Sequence, residues 1–274
     1  MTMILVQLTD LHIKPPGRRA YREVDTAACL DAVIDDLQAL PFRPDVVLLT
    51  GDLTDAGLEE EYALLRQKLA RIDLPLFLMP GNHDLRANLR AAFPEHAYLG
   101  VGDGPVHYTV ETFPLRLIAL DSVVPGEGGG ALGAEQLAWL DARLSEQPQR
   151  PTLVALHHAP FVTGIGHMDE IGLADAAALA EVIGRHPQVE RVVAGHLHRP
   201  IQARWAGTLA STAPSTAHQV TLDLRAEAPS TFFLEPPGYQ LHWFTPATGV
   251  ISHTATVGRW PGPFPFFDGD TLID

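Results

Sequence analysis

Three aspartates, one asparagine and a set of histidines recur in five short motifs along this chain. In order they are Asp10-Leu11-His12, Gly51-Asp52, Gly81-Asn82-His83-Asp84, His157-His158 and Gly195-His196-Leu197-His198. Carboxylate, amide and imidazole together form the ligand set of hard or borderline divalent metals. Two such ions held roughly 3.5–4 Å apart are a device for phosphoryl transfer. Taken singly, each motif reads as readily as a turn or a surface histidine. Asp-x-His puts two ligands on one side of a tight turn. The glycine before Asp52 lets the backbone approach an ion, and that carboxylate has two oxygens that can bridge two cations. Asn82 offers a neutral hard oxygen, with His83 beside it. Histidines at i and i+2, as at 196 and 198, can reach different metals across a turn. Chance does not place all five in this order.

The elements that must position these residues are legible in the apolar pattern. Each motif follows an apolar run that reads as a strand, at 4–8, 45–49, 76–79, 152–156 and 191–194. Helical spacing occupies 25–40, 58–71, 134–145 and 174–185; Glu59, Glu60 and Glu61 sit in the first turn of the second, where the helix dipole favours them. Segments 106–110 and 115–120 read as an antiparallel pair. Continuous apolar strands imply burial on both faces, hence an α/β fold with its sheet covered by helices. Motifs at the carboxyl ends of strands gather at one sheet edge, where α/β folds bind ligands.

After residue 213 the texture changes to short strand-like pieces at 220–224, 240–244 and 250–253. An end rich in aromatics follows, with Pro261, Pro263 and Pro265 among them. The expected division is a catalytic domain over 1–213 and a C-terminal segment over 214–274. That segment is expected to cap the metal edge or join subunits into a homo-oligomer. A chain cut before Phe232 is expected to keep its metals.

Composition narrows the partners. Of 274 residues, 46 % are hydrophobic, which excludes a disordered chain. No apolar run reaches the eighteen or so residues that span a bilayer, so no membrane partner is expected. The first residues run straight into a strand rather than a leader, and the single Cys29 permits no internal disulfide. The expectation is a cytoplasmic protein. The net charge is −14, and lysine occurs only at Lys14 and Lys68. A protein of long nucleic acid carries a basic footprint, so the expected substrate is small. Cys29 reads as a small helix hydrophobe, His96, His107 and His186 as surface residues, and Gly128-Gly129-Gly130 as a flexible hairpin tip.

With these motifs the chain resembles the calcineurin-like metallophosphoesterase superfamily over most of residues 1–200. Within it the chain is most similar to bacterial glycerophosphodiesterases and class III cyclic-nucleotide phosphodiesterases. The stretches that carry this are Arg43-Pro44-Asp45, Glu60-Glu61-Tyr62, 78–84 and His218-Gln219-Val220. The resemblance implies a four-layer α/β/β/α sandwich with a small β-rich C-terminal appendage. It implies two divalent ions of iron, manganese, cobalt or zinc. Asp10, His12, Asp52 and His198 would hold one, and Asp52, Asn82, His157 and His196 the other, with Asp52 bridging. His158 would be structural or orienting. Catalysis would fall to Asp52 and to His83 as proton donor; Asn82, His83, His218 and Tyr21 would touch substrate, with Arg22 nearby. A water or hydroxide held between the ions would attack phosphorus in line. Where purple acid phosphatases carry a tyrosinate, this chain has Asp55. The implied activity is hydrolysis of small phosphodiesters. A phosphomonoesterase and a non-catalytic metal-binding scaffold are the alternatives.

Overall fold

The computed structural model describes residues 1–273. Strand β1 (Met3–Leu8) opens the chain, and helix α1 (Thr26–Gln38) carries it over to β2 (Val46–Thr50). The Asp25 carboxylate caps α1 by accepting from Ala28 N–H at 3.0 Å. Helix α2 (Glu59–Leu69) leads to β3 (Leu76–Met79), and α3 (Arg86–Ala92) follows. Strands β1, β2 and β3 run parallel. They are almost wholly apolar, and α1 buries Leu30, Val33, Ile34 and Leu37 in the same core.

A second sheet begins with the antiparallel pair β4 (Tyr108–Val110) and β5 (Arg116–Ala119). Helix α4 (Gly133–Glu146), strand β6 (Thr152–Ala155), the short α5 (Gly166–Asp169), α6 (Ala176–Gly184) and β7 (Val189–Ala194) follow. The hairpin β8 (Gln202–Trp205) and β9 (Thr208–Thr212) completes a six-stranded sheet in the order β4-β5-β6-β7-β9-β8. The two sheets face one another with helices outside, the expected four-layer sandwich. The hairpin β8–β9 and helix α3 were not legible in the apolar pattern.

The chain beyond 213 does two different things. A short ladder of β10 (Gln219–Val220) and β11 (Phe232–Phe233) lies beside the metal edge, and the strand expected over 220–224 stops at Val220. Then β12 (Gly238–Thr245) and β13 (Gly249–Thr256) return to the first sheet, where β12 pairs antiparallel with β1 over Met3–Gln7. The sheet order is β13-β12-β1-β2-β3. The sequence division at 213 is therefore crossed by a hairpin of the sandwich itself. Only the end of the chain stands off the body, with a small ladder of β14 (Phe267–Asp268) and β15 (Thr271–Leu272). Trp260, Phe264, Phe266 and Phe267 there are exposed. No helix among the described residues is long and apolar enough to cross a membrane.

His242 on β12 joins the layers. Its Nε2–H donates to Gln7 Oε1 at 3.0 Å, and its Nδ1 accepts from Ser252 at 2.6 Å. The Gln7 amide reaches across to Ala194 O on the second sheet at 2.9 Å. Burial, with Arg191 nearby, lowers the His242 pKa from 6.5 to about 3. The unfolded chain therefore takes the proton first. This contribution to stability is complete above pH 6.5 and is lost as the pH falls from there towards 3. At fixed metal concentration, stability from urea titrations should drop faster between pH 6.5 and 5 in the unmodified protein than in His242→Gln. The excess slope should approach about 1.4 kcal/mol per pH unit; parallel slopes would contradict this account.

Candidate metal centre

All five motifs sit in loops just past the carboxyl ends of parallel strands: β1, β2, β3, β6 and β7. The loops are laced to one another by backbone bonds. Asp10 N–H donates to Gly51 O at 3.1 Å, His12 N–H to Asp52 O at 2.9 Å, and Gly195 N–H to His157 O at 3.0 Å. Asp84 ties the β2 and β3 loops together. Its carboxylate accepts from the backbone of Leu53, Thr54 and Gly81, from the Thr54 hydroxyl and from Tyr62. Close approach explains two motif glycines. A Cβ on Gly51 would come within 2.4 Å of the His157 ring, and one on Gly81 within 2.2 Å of the Asp52 carboxylate.

Asp10, His12, Asp52 and His198 bring ligand atoms within 4.8 Å of one another, as do His157, His158 and His196. The separations carry a metal signature. His12 Nε2 and His198 Nε2 lie 3.1 Å apart. His12 Nε2 is 3.5 Å from Asp52 Oδ2, and His198 Nε2 is 3.5 Å from Asp10 Oδ1. His157 Nε2 is 3.1 Å from Asn82 Oδ1 and 3.4 Å from Asp52 Oδ1. Bonds of about 2.1 Å in tetrahedral or octahedral shells put neighbouring ligand atoms about 3.0–3.4 Å apart. The opposite ring nitrogens are already committed. His157 Nδ1–H donates to Thr50 O at 2.8 Å, and His198 Nδ1–H to His218 O at 2.9 Å. That fixes their Nε2 lone pairs on the site, the usual outer-shell device of metal-bound histidine. His196 Nε2 is buried with no hydrogen-bond partner among the described residues. The donor set therefore fits divalent metal, with Asp52 lying between the two groups of donors.

Electrostatics agree. Burial drives His196 well below its ordinary range and His198 to about 3, so both are neutral donors. Burial would raise Asp52, but the His157, His83 and His12 rings outweigh it and hold this carboxylate well below the usual range. Asp10 is pushed up to about 6 by burial and by the Asp52 charge, against His157 and His12. Burial would lower His157 and His12, but the neighbouring carboxylates outweigh it, lifting His157 to about 9 and raising His12, so the centre draws positive charge to itself.

His158 belongs to the same cluster but is already engaged. Its Nδ1 meets Ser122 Oγ at 2.8 Å and its Nε2 meets Gly128 O at 3.1 Å. This corrects the reading of the three glycines as a flexible tip. Gly130 is buried, bridges Val123 and Leu173, and leaves room for the His158 ring. His186 is corrected too. It is buried and meets Asp141 Oδ1 at 2.7 Å. His107 is half-buried against Trp139, and His96 is also half-buried. Cys29 is half-buried beside Ala20, Val24 and Ala217, and burial and Asp25 raise its pKa, which suits no nucleophile.

A cavity of about 290 Å³ opens over the cluster. His12, Asp52, Asn82, His83, His196 and His198 face it, and so do Tyr21 and His218. Tyr21, His218 and Phe232 pack together with ring centroids 5.1–5.2 Å apart. Arg22 is not among the lining residues. Sequence reasoning missed His167, Met168, Ile171 and Phe232, which line the walls from segments with no motif. It also missed the role of Asp55, whose Oδ1 lies 3.3 Å from His12 Nδ1 and whose backbone oxygen meets His83 Nδ1 at 2.7 Å.

The sequence pattern of the calcineurin-like phosphoesterases matches residues 3–200. This chain belongs to that family. A probable glycerophosphodiester phosphodiesterase GpdQ of Arcobacter nitrofigilis is 39 % identical over 274 residues, 99 % of this chain and 100 % of the relative. A 3′,5′-cyclic adenosine monophosphate phosphodiesterase CpdA of Vibrio vulnificus is 31 % identical over 219 residues, 78 % of this chain and 77 % of the relative. Among solved structures, a dimetal phosphatase from Danio rerio superposes with a TM-score of 0.65 at 16 % identity, covering 93 % of this chain and 99 % of that one. At that identity the likeness is one of fold.

In this family frame the roles of Asp52 and His83 separate. Asp52→Ala should remove most bound metal, measured by elemental analysis after dialysis, since one Asp52 oxygen lies against His12 and the other against His157. His83→Ala should keep its metal while kcat falls roughly 10²–10⁴-fold, the range for a lost proton donor. Metal loss in His83→Ala equal to that in Asp52→Ala would make His83 a ligand.

Proposed function

We propose that this protein hydrolyses small phosphodiesters at a centre of two divalent metal ions. Asp10, His12, Asp52 and His198 would hold one ion, and Asp52, Asn82, His157 and His196 the other. When bound, the ions supply activation of the attacking water and neutralise charge on the phosphate. The protein's own residues do the rest. Asp52 Oδ1 accepts from His83 N–H at 3.0 Å, so this carboxylate, which would hold metal, also fixes the His83 loop. With its Nδ1–H bonded to Asp55 O, the His83 ring turns Nε2 to the cavity, where the doubly protonated imidazolium can pass its Nε2 proton to the departing alkoxide and become neutral. His218 holds His198 through its backbone and faces substrate with its ring. Phe232, Val220, Met168 and Ile171 keep water from the reacting group.

The observation that carries the choice of diester is the charge of the lining. Among the described residues the cavity contains no lysine or arginine, only neutral polar, apolar and imidazole groups beside Asp52. A diester monoanion is matched by the metal ions alone, whereas a monoester dianion asks for further fixed cations. The names of the relatives, a glycerophosphodiesterase and a cyclic-nucleotide phosphodiesterase, support the same class. On protein reconstituted with Mn(II), kcat/KM for bis(p-nitrophenyl) phosphate should exceed that for p-nitrophenyl phosphate at least about tenfold, and EDTA should abolish both. A reversed ratio would make the enzyme a phosphomonoesterase. Glycerophosphodiesters and 3′,5′- and 2′,3′-cyclic nucleotides complete the panel.

We further propose that the exposed end beyond Val257 joins subunits into a homo-oligomer, and that the protein works in the cytoplasm, where its single thiol needs no partner. Four exposed aromatics on a segment that leaves the body support the contact. Truncation after Val257 should give a smaller particle in light scattering with cooperative unfolding retained. Truncation before Gly238 should abolish folding, since it strips the β1 edge. An unchanged particle size in the first variant would refute the contact.

A further inference from the structure

The chain has two lysines, and one of them stands against the metal loops. Lys14 lies two residues past His12. Its Nζ donates to Asp55 Oδ2 at 2.6 Å and sits 3.8 Å from Glu61 Oε1. Both partners are held from behind. Asp55 N–H donates to Ile13 O at 3.1 Å. The fully buried Glu61 carboxylate accepts through Oε2 from Ala56 N–H at 2.9 Å and Leu58 N–H at 3.1 Å. The ammonium thus ties the loop after β1 to the loop after β2 and to the start of α2. It does so from outside the cavity, since Lys14 is not among the lining residues.

Asp55 in turn touches two rings that the chemistry uses. Its Oδ1 lies 3.3 Å from His12 Nδ1, and its backbone oxygen accepts from His83 Nδ1–H at 2.7 Å. His12, Asp55 and His83 bring donor atoms within 4.8 Å of one another. The support of His12 differs from that of two other imidazoles of the centre. Backbone carbonyls hold His157 and His198, at 2.8 and 2.9 Å. His12 Nδ1 has no well-aligned hydrogen bond among the described residues, and the group beside it is a carboxylate on a side chain. A carbonyl at a strand end cannot leave its place. A carboxylate that is 18 % exposed can turn towards water unless its second oxygen is held. Lys14 holds it.

We propose that Lys14 is a positioning residue for the reaction. Its ammonium pins Asp55 Oδ2, which keeps Oδ1 against His12 and the Asp55 backbone oxygen on His83. Without Lys14 every expected metal ligand and the proton donor remain, but two of their rings are free to turn. Outer partners that orient a metal-bound imidazole contribute roughly 10–100-fold to affinity or activity, and turnover is sensitive to small errors in the placement of reacting groups. The effect falls on kcat rather than KM, because Lys14 does not line the cavity. This rests on the diesterase reading of the same site.

The test replaces Lys14 by Met, of similar length and no charge, and by Arg, which keeps the charge and the reach. At saturating Mn(II), kcat of Lys14→Met for bis(p-nitrophenyl) phosphate should fall roughly tenfold, with KM within about twofold. Lys14→Arg should recover most of the loss. In the Asp55→Asn background, Lys14→Met should cost less than about twofold, because the group it acts through has already been changed. A second readout needs no turnover. In Zn(II)-loaded protein with ¹⁵N-labelled histidine, the His83 Nδ1–H proton, identified by its loss in His83→Gln, should move upfield in Lys14→Met and return in Lys14→Arg. Simple destabilisation would lower the amount of folded protein without moving this resonance. Should Lys14→Met not fold, Lys14→Gln carries the same comparisons. An unchanged kcat with an unmoved resonance, or an equal loss with and without Asp55→Asn, would overturn the role of Lys14. Absence of all diesterase activity, with the shift and its recovery intact, would overturn only the diesterase reading.

Discussion

The fold is arranged around an electrostatic debt. Asp10 and Asp52 are fully buried side by side; burial pushes the neighbouring His196 and His198 down, while the two carboxylates raise His12 and lift His157 to about 9. Charges removed from water cost several kcal/mol each, and the backbone N–H groups of His196 and His83 that Asp10 and Asp52 accept from do not by themselves compensate. Divalent cations do. The rest of the sandwich serves to hold donors at separations that suit a shared cation, such as two imidazole Nε2 atoms 3.1 Å apart.

Holding them there strains the backbone in a definite pattern. Asp10, His12, Asp52, His196 and His198 all have positive φ, between 45° and 69°. Left-handed backbone at a side-chain-bearing residue costs on the order of 1 kcal/mol. Asp and His tolerate it better than most residues, so ligand chemistry and turn chemistry select the same residue types. The strain is sustained by what surrounds it. Parallel β1 and β2 deliver two tight turns at one level, and their backbones bond across at Asp10–Gly51 and His12–Asp52. Asp84 clamps the third loop to the second. Such turns can be tight because the strands feeding them are rigid and wholly buried.

The floor of the site was legible in the sequence for the same reason. Each donor lies within a few residues of a strand end, so an apolar run followed by Asp, Asn or His is a local signature of a nonlocal cluster. The walls were not legible. His167 lies on a four-residue helix with no periodicity to detect, and Phe232 on a two-residue strand. Their meeting with Tyr21 is set by the tertiary fold and by no spacing. The texture change at 213 was real, yet its meaning depended on pairing. Short strands separated by turns read as an appendage, whereas β12 supplies the missing edge of β1. His186 and the glycines at 128–130 were misread because polarity and flexibility were inferred from residue type. Asp141 and His158 gave those residues hydrogen-bond partners.

Floor and walls are nevertheless mechanically one object. The segment that bears His218 is bonded into the first metal loop: Ser215 Oγ donates to Asp10 O at 2.7 Å, and Thr216 N–H to Thr9 O at 3.2 Å. The His218 carbonyl then orients His198 at 2.9 Å. A displacement of the wall that contacts substrate is therefore felt at Asp10 and His198. Conversely, a cation that draws those two donors together also sets the wall. Metal binding and pocket shape are linked by three hydrogen bonds rather than by a moving domain. An enzyme built this way alters its substrate range most safely on the opposite wall, at α5, which is braced by its own Asp169 and shares none of these bonds.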